Sequence, residues 1–208
     1  MAGSKACALF VVASLFGCGL AAAAEQRSAA QMMDDLMYGR GPVGGPFTLT
    51  DQTGKQRSDT DFRGKLMIVY FGYTYCPDVC PTDLMAITQA LDALGPAAEG
   101  VQPVFITIDP ERDTKLLTDY VAAFHRSLVG LTGSPDEIRK VANSYKAFYM
   151  KVQDKRSDER SPDYSIDHAG VIYLMGRNGE YLGFMPPQTS PDRLTEVLRK
   201  NLANEQMP

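Results

Sequence analysis

An unbroken apolar run, LMIVYF at residues 66–71, limits the possible folds of this chain more than any other feature. The run has the length of a β-strand, and a strand without a polar face must be covered on both sides. Apolar residues at helical spacing follow it over residues 84–94, and a second strand-like run, VFITI, stands at residues 104–108. This alternation of strands and helices predicts an α/β domain.

Turn and cap signals predict the remaining elements. A Thr-Gly turn at residues 53–54 predicts a short β-hairpin at the start of the domain, and an Asn-Gly turn at 178–179 predicts another near its end. Ser-Pro pairs at 134–135 and 190–191 are typical of helix starts. Together they predict a mixed sheet flanked by helices, with an N-terminal β-hairpin extension, over residues 46–203.

Composition narrows the class of protein. The 208 residues are 44% hydrophobic and 22% charged, which is typical of one globular domain with small appendages. We expect these to be a flexible linker at residues 25–45 and a tail at 204–208. The net charge is −4 with no basic block, so we expect no nucleic-acid partner, since phosphate binding needs clustered lysine and arginine. Nothing indicates an apolar dimerisation helix, so we expect a monomer.

Residues 1–24 have the pattern of a targeting segment. One basic residue, Lys5, precedes an apolar run that ends in small residues, as in a secretory signal peptide cleaved after Ala24. The run is also just long enough for an uncleaved membrane anchor, and the Leu-Phe-Gly-Cys sequence ending at Cys18 resembles a lipoprotein cleavage box. All three alternatives predict export across a bacterial inner membrane to the periplasm.

Cysteine usage points to one site. Cys7 and Cys18 fall in the targeting segment, so the folded domain carries only Cys76 and Cys80. In an oxidising compartment a lone close pair is a disulfide, a redox couple or a metal site. A purely structural disulfide is disfavoured, because a crosslink across so short a loop constrains the unfolded chain little.

The cysteine pair stands where α/β proteins bind their ligands. Cys76 follows the predicted buried strand, and ligands bind beyond the carboxyl ends of such strands. Pro77 and Pro81 predict a turn from 76 to 80, with Pro81 as the first helical residue. The positive end of that helix would favour thiolates, the form that binds metals and attacks disulfides.

A metal site would need a third ligand, since two are too few for a structural zinc site. The candidates are the two histidines. His168 precedes a strand that would begin beside Cys76 if it runs antiparallel to the buried strand, whereas His125 ends a predicted helix, where an imidazole is usually a surface group. We therefore favour His168. Two thiolates and one imidazole suit copper, as Cu(I) or Cu(II).

Two aspartates accompany the predicted site. Asp109 ends the next strand at the same edge of the sheet, where it could orient a ligand or dock a partner, or simply cap a helix or turn. Asp78 lies inside the cysteine turn and would either tune the local charge or serve as a turn residue.

The sequence resembles the Sco/SenC family in four segments: YCPDVCP at residues 75–81, IDPERDT at 108–114, GLTG at 130–133 and YSIDH at 164–168. The resemblance covers roughly residues 43–203 and implies a thioredoxin-like fold. It also implies copper ligation by Cys76, Cys80 and His168, with Asp109 at the family's Asp-Pro position.

Members of that family act as copper chaperones for cytochrome c oxidase. The resemblance therefore implies delivery of copper to the binuclear CuA centre of oxidase subunit II, or reduction of the cysteines of that centre. Members are commonly tethered by one N-terminal transmembrane helix. The implied partners are subunit II and, for loading, another periplasmic copper carrier.

Three functions compete on the residues themselves. A copper-binding assembly factor, which is not an enzyme, needs the non-cysteine ligand that His168 would supply. A thiol–disulfide oxidoreductase would use Cys76 and Cys80 as a redox disulfide, although its usual spacing has one residue fewer. A peroxidase or redox sensor needs an arginine beside the thiolate, and Arg112 is the only nearby candidate. We favour the copper chaperone, with the reductase as the alternative.

Overall fold

The computed structural model describes residues 29–37, 42–153 and 164–204. The predicted signal peptide or anchor at 1–24 lies outside the described residues, as do a charged stretch at 154–163 and most of the predicted tail. Within the described ranges, no helix has the length and apolar character needed to cross a membrane.

Nine strands form a seven-stranded mixed sheet and a separate two-stranded ribbon among the described residues. The strands are β1 (Thr48–Asp51), β2 (Gln56–Ser58), β3 (Leu66–Gly72), β4 (Val101–Thr107), β5 (Val129–Thr132), β6 (Tyr149–Gln153), β7 (Tyr164–His168), β8 (Ile172–Met175) and β9 (Tyr181–Met185). The main sheet has the order β2-β1-β5-β4-β3-β8-β9, and β6 pairs with β7 in the ribbon.

Helices flank the sheet. They are α1 (Ala29–Met37), α2 (Val79–Leu94), α3 (Pro110–Asp113), α4 (Leu117–Ala122), α5 (Pro135–Ser144) and α6 (Pro191–Asn204), with 3-10 turns at Asp59–Phe62 and Gly95–Gly100. The predicted cap at Ser134 is present as a capping box, in which Ser134 and Glu137 exchange hydrogen bonds.

The sheet centre matches the apolar pattern from which it was predicted. Every residue of β3 is buried, and β3 pairs in parallel with β4 and antiparallel with β8. The two predicted hairpins, β1–β2 and β8–β9, are both antiparallel. The prediction of an α/β mixed sheet flanked by helices with an N-terminal hairpin is therefore confirmed.

The structure departs from the predicted elements near the cysteines. The prediction that Pro81 is the first helical residue is wrong, because α2 begins at Val79 and includes Cys80 in its first turn. The first four N–H groups of a helix have no partner inside it, so the missing N–H of Pro81 costs no hydrogen bond there. Part of the predicted linker forms α1, whose Leu36 is buried in the core.

Candidate metal centre

The end of β3 and the start of α2 bring the two cysteines together. Cys80 is fully buried and Cys76 is half-buried on the loop before the helix, and both are free thiols. Gly72, the last residue of β3, lies against the Cys80 sulfur: a Cβ at Gly72 would be only 2.9 Å from that sulfur. The lack of a side chain at Gly72 lets the thiol pack against the end of the central strand.

The Cys76 sulfur lies at the positive end of α2. It accepts the backbone N–H of Cys80 at 3.4 Å, which is one of the N–H groups that a helix leaves unpaired. The Cys80 thiol, His168 and the N–H groups of Asp78 and Cys80 stabilise the thiolate and hold the pKa of Cys76 far below that of an ordinary thiol. The hydrogen bond to Cys76 and burial raise the pKa of Cys80, so Cys76 ionises first.

His168 completes the group from the end of β7. Its Nε2 lies 3.3 Å from the Cys80 sulfur, and its Nδ1 accepts the N–H of Gly170 at 3.1 Å. An Nδ1 that accepts leaves the proton of a neutral ring on Nε2, the atom that faces the thiol. To bind a metal through Nε2, the imidazole must therefore move that proton to Nδ1 and give up the bond to Gly170.

The ligand atoms of Cys76, Cys80 and His168 lie within 4.8 Å of one another. No other trio of histidine, cysteine or acidic side chains is so arranged within the described residues. Two soft thiolates and one imidazole fit copper: thiolates select Cu(I), and imidazole also suits Cu(II). The half-exposed side of the group, at Cys76 and His168, leaves an approach for an ion or a partner.

Neither predicted aspartate belongs to this group of three donors. Asp109 is fully buried, and its carboxylate accepts hydrogen bonds from Arg112 Nε and, at 2.6 Å, from the hydroxyl of Tyr164. Its carboxylate is therefore not available for direct contact with a partner. Asp78 is exposed at the N-cap position of α2, where its side chain makes no capping bond.

Two other residues of the sequence hypotheses lie outside the group. His125 bonds Ser127 through Nδ1 at 2.8 Å and faces Asp92 at 3.9 Å. Arg112 packs its guanidinium against the rings of Tyr164 and Tyr75, with distances to the ring centroids of 3.6 and 4.9 Å, and ion-pairs with Asp109. Arg112 is not among the groups that lower the pKa of Cys76.

Three residues around the thiols were not predicted from the sequence. Tyr70 is buried and donates a hydrogen bond of 3.0 Å to the buried carboxyl group of Asp83, whose other oxygen accepts the N–H of Gln188 at 2.6 Å. Burial raises the pKa of Asp83. Tyr73 lies beside His168. The sequence offered one signal for this group, the hydroxyl of Tyr70 in an otherwise apolar run. A buried hydroxyl needs a hydrogen-bond partner, so it indicated a buried polar group nearby.

Comparison with known proteins finds relatives over most of the chain. The SCO1/SenC family model matches residues 37–203. Protein SCO1 homolog 1, mitochondrial, of Arabidopsis thaliana is 41% identical over 166 residues, which are 79% of this chain and 48% of that protein. The chain thus spans about half the length of this relative.

Two solved structures are similar in both sequence and fold. The crystal structure of Arabidopsis thaliana ScoI with copper bound has a TM-score of 0.71 and 40% identity, and covers 78% of this chain and 99% of its own. The structure of Bradyrhizobium japonicum ScoI with copper bound has a TM-score of 0.67 and 42% identity, and covers 76% and 99%. The predicted thioredoxin-like fold is confirmed. Both neighbours hold the metal predicted for the Cys–Cys–His group of this chain.

Proposed function

This chain belongs to the SCO1/SenC family, and from that premise we propose that it is a copper metallochaperone with Cys76, Cys80 and His168 as ligands. The convergence of these three donor atoms within 4.8 Å is the observation that carries the proposal. The family is linked to cytochrome c oxidase assembly. The recipient that we propose is the CuA centre of oxidase subunit II.

The three ligands have different parts in holding and releasing the ion. Cys80 is fully buried and cannot meet a partner, so it serves as the fixed ligand. Cys76 is half-exposed and ionises first, so it is the ligand that an incoming partner thiolate can replace. Stepwise replacement of Cys76, His168 and Cys80 would pass the ion on without releasing it into water, and the chain would return unchanged. Such a protein is a carrier, not an enzyme.

The alternative function is reduction of a disulfide in the same partner, and the ionised Cys76 favours it. The Cys76 thiolate would attack one partner sulfur and form a mixed disulfide, releasing the other partner sulfur as a thiolate. The Cys80 thiol would then lose its proton to solvent, and the thiolate so formed would attack Cys76, release the second partner thiolate and leave a Cys76–Cys80 disulfide. Two electrons pass to the partner, so each turnover consumes one reduced chain.

We propose that the chain acts in the periplasm, where it would meet oxidase subunit II. An exported chain, either cleaved after residue 24 or tethered there to the inner membrane, would meet subunit II in the periplasm. A second periplasmic copper carrier would load it, and a monomer suffices for each transfer because one chain supplies all three ligands.

Copper binding by the purified reduced protein tests the proposal. We expect one equivalent of Cu(II) with a thiolate-to-copper charge-transfer band. In His168→Ala the band should be altered and Cu(II) should bind much more weakly. His125→Ala is the matched control, because it removes the other histidine and should behave as wild type. Unaltered stoichiometry and spectrum in His168→Ala would contradict the three-ligand site.

Delivery needs a separate experiment with the soluble domain of subunit II, its CuA site empty and its cysteines reduced. Copper-loaded chain should generate the CuA absorption spectrum in that domain, whereas the Cys76–Cys80 disulfide form, which lacks two ligands, should not. If the loaded chain transfers nothing but the reduced, copper-free chain reduces an oxidised domain, the reductase function replaces the chaperone function.

A further inference from the structure

The candidate histidine lies on a ribbon separate from the main sheet. In the part of the chain that the structure describes, β6 and β7 pair with each other and with no strand of that sheet. The cysteines, by contrast, follow β3 at the centre of the sheet. The position of His168 relative to the thiols therefore depends on the contacts that fasten β7 to the cysteine loop.

Tyr73, on the loop between β3 and Cys76, makes such a contact. It is 3% exposed, and its hydroxyl oxygen accepts the backbone N–H of Ile166, on β7, at 3.3 Å. Its ring meets the imidazole of His168 at an interplanar angle of 84°, with 5.9 Å between the centroids. One side chain thus contacts both the backbone of β7 and the ligand at its end.

The backbone of Tyr73 also interacts with the two cysteines. Its carbonyl oxygen accepts the N–H of Cys76 at 3.2 Å, and its own N–H lowers the pKa of the Cys80 thiol. Tyr73 is therefore in contact with the residues of all three candidate ligands. A displacement of Tyr73 would change the position of His168 relative to both sulfurs.

The hydroxyl of Tyr73 fastens β7 close to His168. Side chains alternate along a strand, so Ile166 and His168 share one side of β7, and Ile166 is buried there. Polar contacts at Tyr164, the other end of β7, lie further away: Arg112 donates to its carbonyl oxygen at 3.0 Å, and its hydroxyl bonds Asp109. Without the Tyr73 oxygen, the buried N–H of Ile166 would lose its acceptor, and β7 would have to shift or admit water to regain one.

We propose that Tyr73 is the positioning residue of the copper site: its hydroxyl holds β7 so that His168 stays within reach of the ion bound by the thiols. This inference rests on the proposed copper-binding function and names a residue that serves it. Tyr73 acts through His168 and does not itself bind the ion. Groups of this kind around a metal site typically change metal affinity about 10- to 100-fold when they are removed.

Tyr73→Phe tests the inference, because it removes only the hydroxyl oxygen and keeps the ring. Tyr75→Phe is the matched control: the same change on the same loop, at a side chain that is 57% exposed. Cu(II) affinity of the purified full-length protein is measured by competition with a chelator, and the ¹⁴N hyperfine coupling of the imidazole by pulsed EPR. We expect Tyr73→Phe to lose about tenfold in affinity with a weakened ¹⁴N coupling, and Tyr75→Phe to match wild type.

A double-mutant cycle separates positioning from a general structural effect. If Tyr73 acts through His168, Tyr73→Phe should cost no further affinity in the His168→Ala background. A tenfold loss in both backgrounds would overturn the inference, because Tyr73 would then act on the thiols or on the fold. Wild-type affinity and ¹⁴N coupling in Tyr73→Phe, or equal losses in Tyr75→Phe, would also overturn it. A wild-type protein that bound no copper would instead overturn the proposed function, and this inference with it.

Discussion

Gly72, the last residue of β3, has no room for a methyl group. A Cβ there would lie 2.9 Å from the sulfur of Cys80, 2.9 Å from a ring carbon of Phe105 and 3.0 Å from a ring carbon of Tyr70, all of them on fully buried residues. Non-bonded carbon atoms normally lie about 3.5–4.0 Å apart, so the neighbours of Gly72→Ala must move by roughly half an ångström. Overpacking of this kind costs about 1–3 kcal/mol, which lowers the Tm of a chain of this size by about 2–12 °C.

The same substitution should weaken copper binding, because the Cys80 sulfur is one of the atoms displaced. Metal–ligand distances in proteins hold to within about 0.2 Å, so a shift of half an ångström must be corrected at the expense of the surrounding packing. We expect the Cu(II) affinity of Gly72→Ala to fall about tenfold, as for other changes next to a metal ligand.

Gly130→Ala is the matched control. Gly130 lies on β5, and a Cβ there would be 2.8 Å from side-chain carbons of Leu117 and Val121, with none of the three candidate ligands among its closest neighbours. Thermal unfolding of the metal-free proteins, followed by circular dichroism, should show a similar loss of Tm in both variants. Chelator competition should show weaker copper binding in Gly72→Ala alone. A wild-type Tm in Gly72→Ala would refute the crowding argument, and copper affinity equal to that of Gly130→Ala would refute the link to Cys80.

Two further predictions concern the charged groups near the site. Because its pKa is lowered, Cys76 should remain a thiolate as the pH falls, so its alkylation by iodoacetamide should be nearly as fast at pH 6 as at pH 8. An ordinary thiol of pKa about 8.5 would be roughly 0.3% ionised at pH 6 and roughly 24% ionised at pH 8. Cys80→Ala removes the main donor to that thiolate and should move the profile to higher pH; a wild-type rate that falls tenfold per pH unit would contradict the lowered pKa. Arg112→Ala should cost about 3 kcal/mol in urea denaturation, because it leaves the buried carboxylate of Asp109 without its cation. Arg139→Ala breaks an exposed ion pair and should cost less than about 1 kcal/mol; equal losses in the two arginine variants would show that burial of Asp109 carries no such penalty.

The elements that could be predicted from the sequence are those specified by local pattern. The apolar run of β3 is enough by itself to predict a strand that is covered on both faces, and four residues are enough to predict the helix cap at Ser134. The approach of His168 to the thiols followed from one topological inference, that β8 runs antiparallel to β3, which the register confirms. Where a local pattern and a simple topology sufficed, the prediction succeeded.

The ribbon could not be predicted in this way. β6 is mostly exposed, so it lacks the apolar alternation that marks a strand covered on one face. The surroundings of Asp109 and Tyr73 also depend on long-range contacts: Tyr164 meets Asp109 across 55 residues, and Ile166 meets Tyr73 across 93. Such pairings are fixed by tertiary packing, and no spacing within a short window encodes them.

The placement of His168 on that ribbon also concerns the connectivity of the chain. Cys80 and His168 are 88 residues apart in sequence, so an ion that binds both closes a long loop, as a covalent crosslink would. An ion that binds only the folded chain adds stability by mass action, because any opening that separates the ribbon from the cysteines must release it. Loading with copper should therefore slow amide hydrogen exchange along β6 and β7 more than at the centre of the main sheet. Bound copper would thus act as a reversible crosslink between the cysteines and the ribbon, and its loss would free β6 and β7 to open.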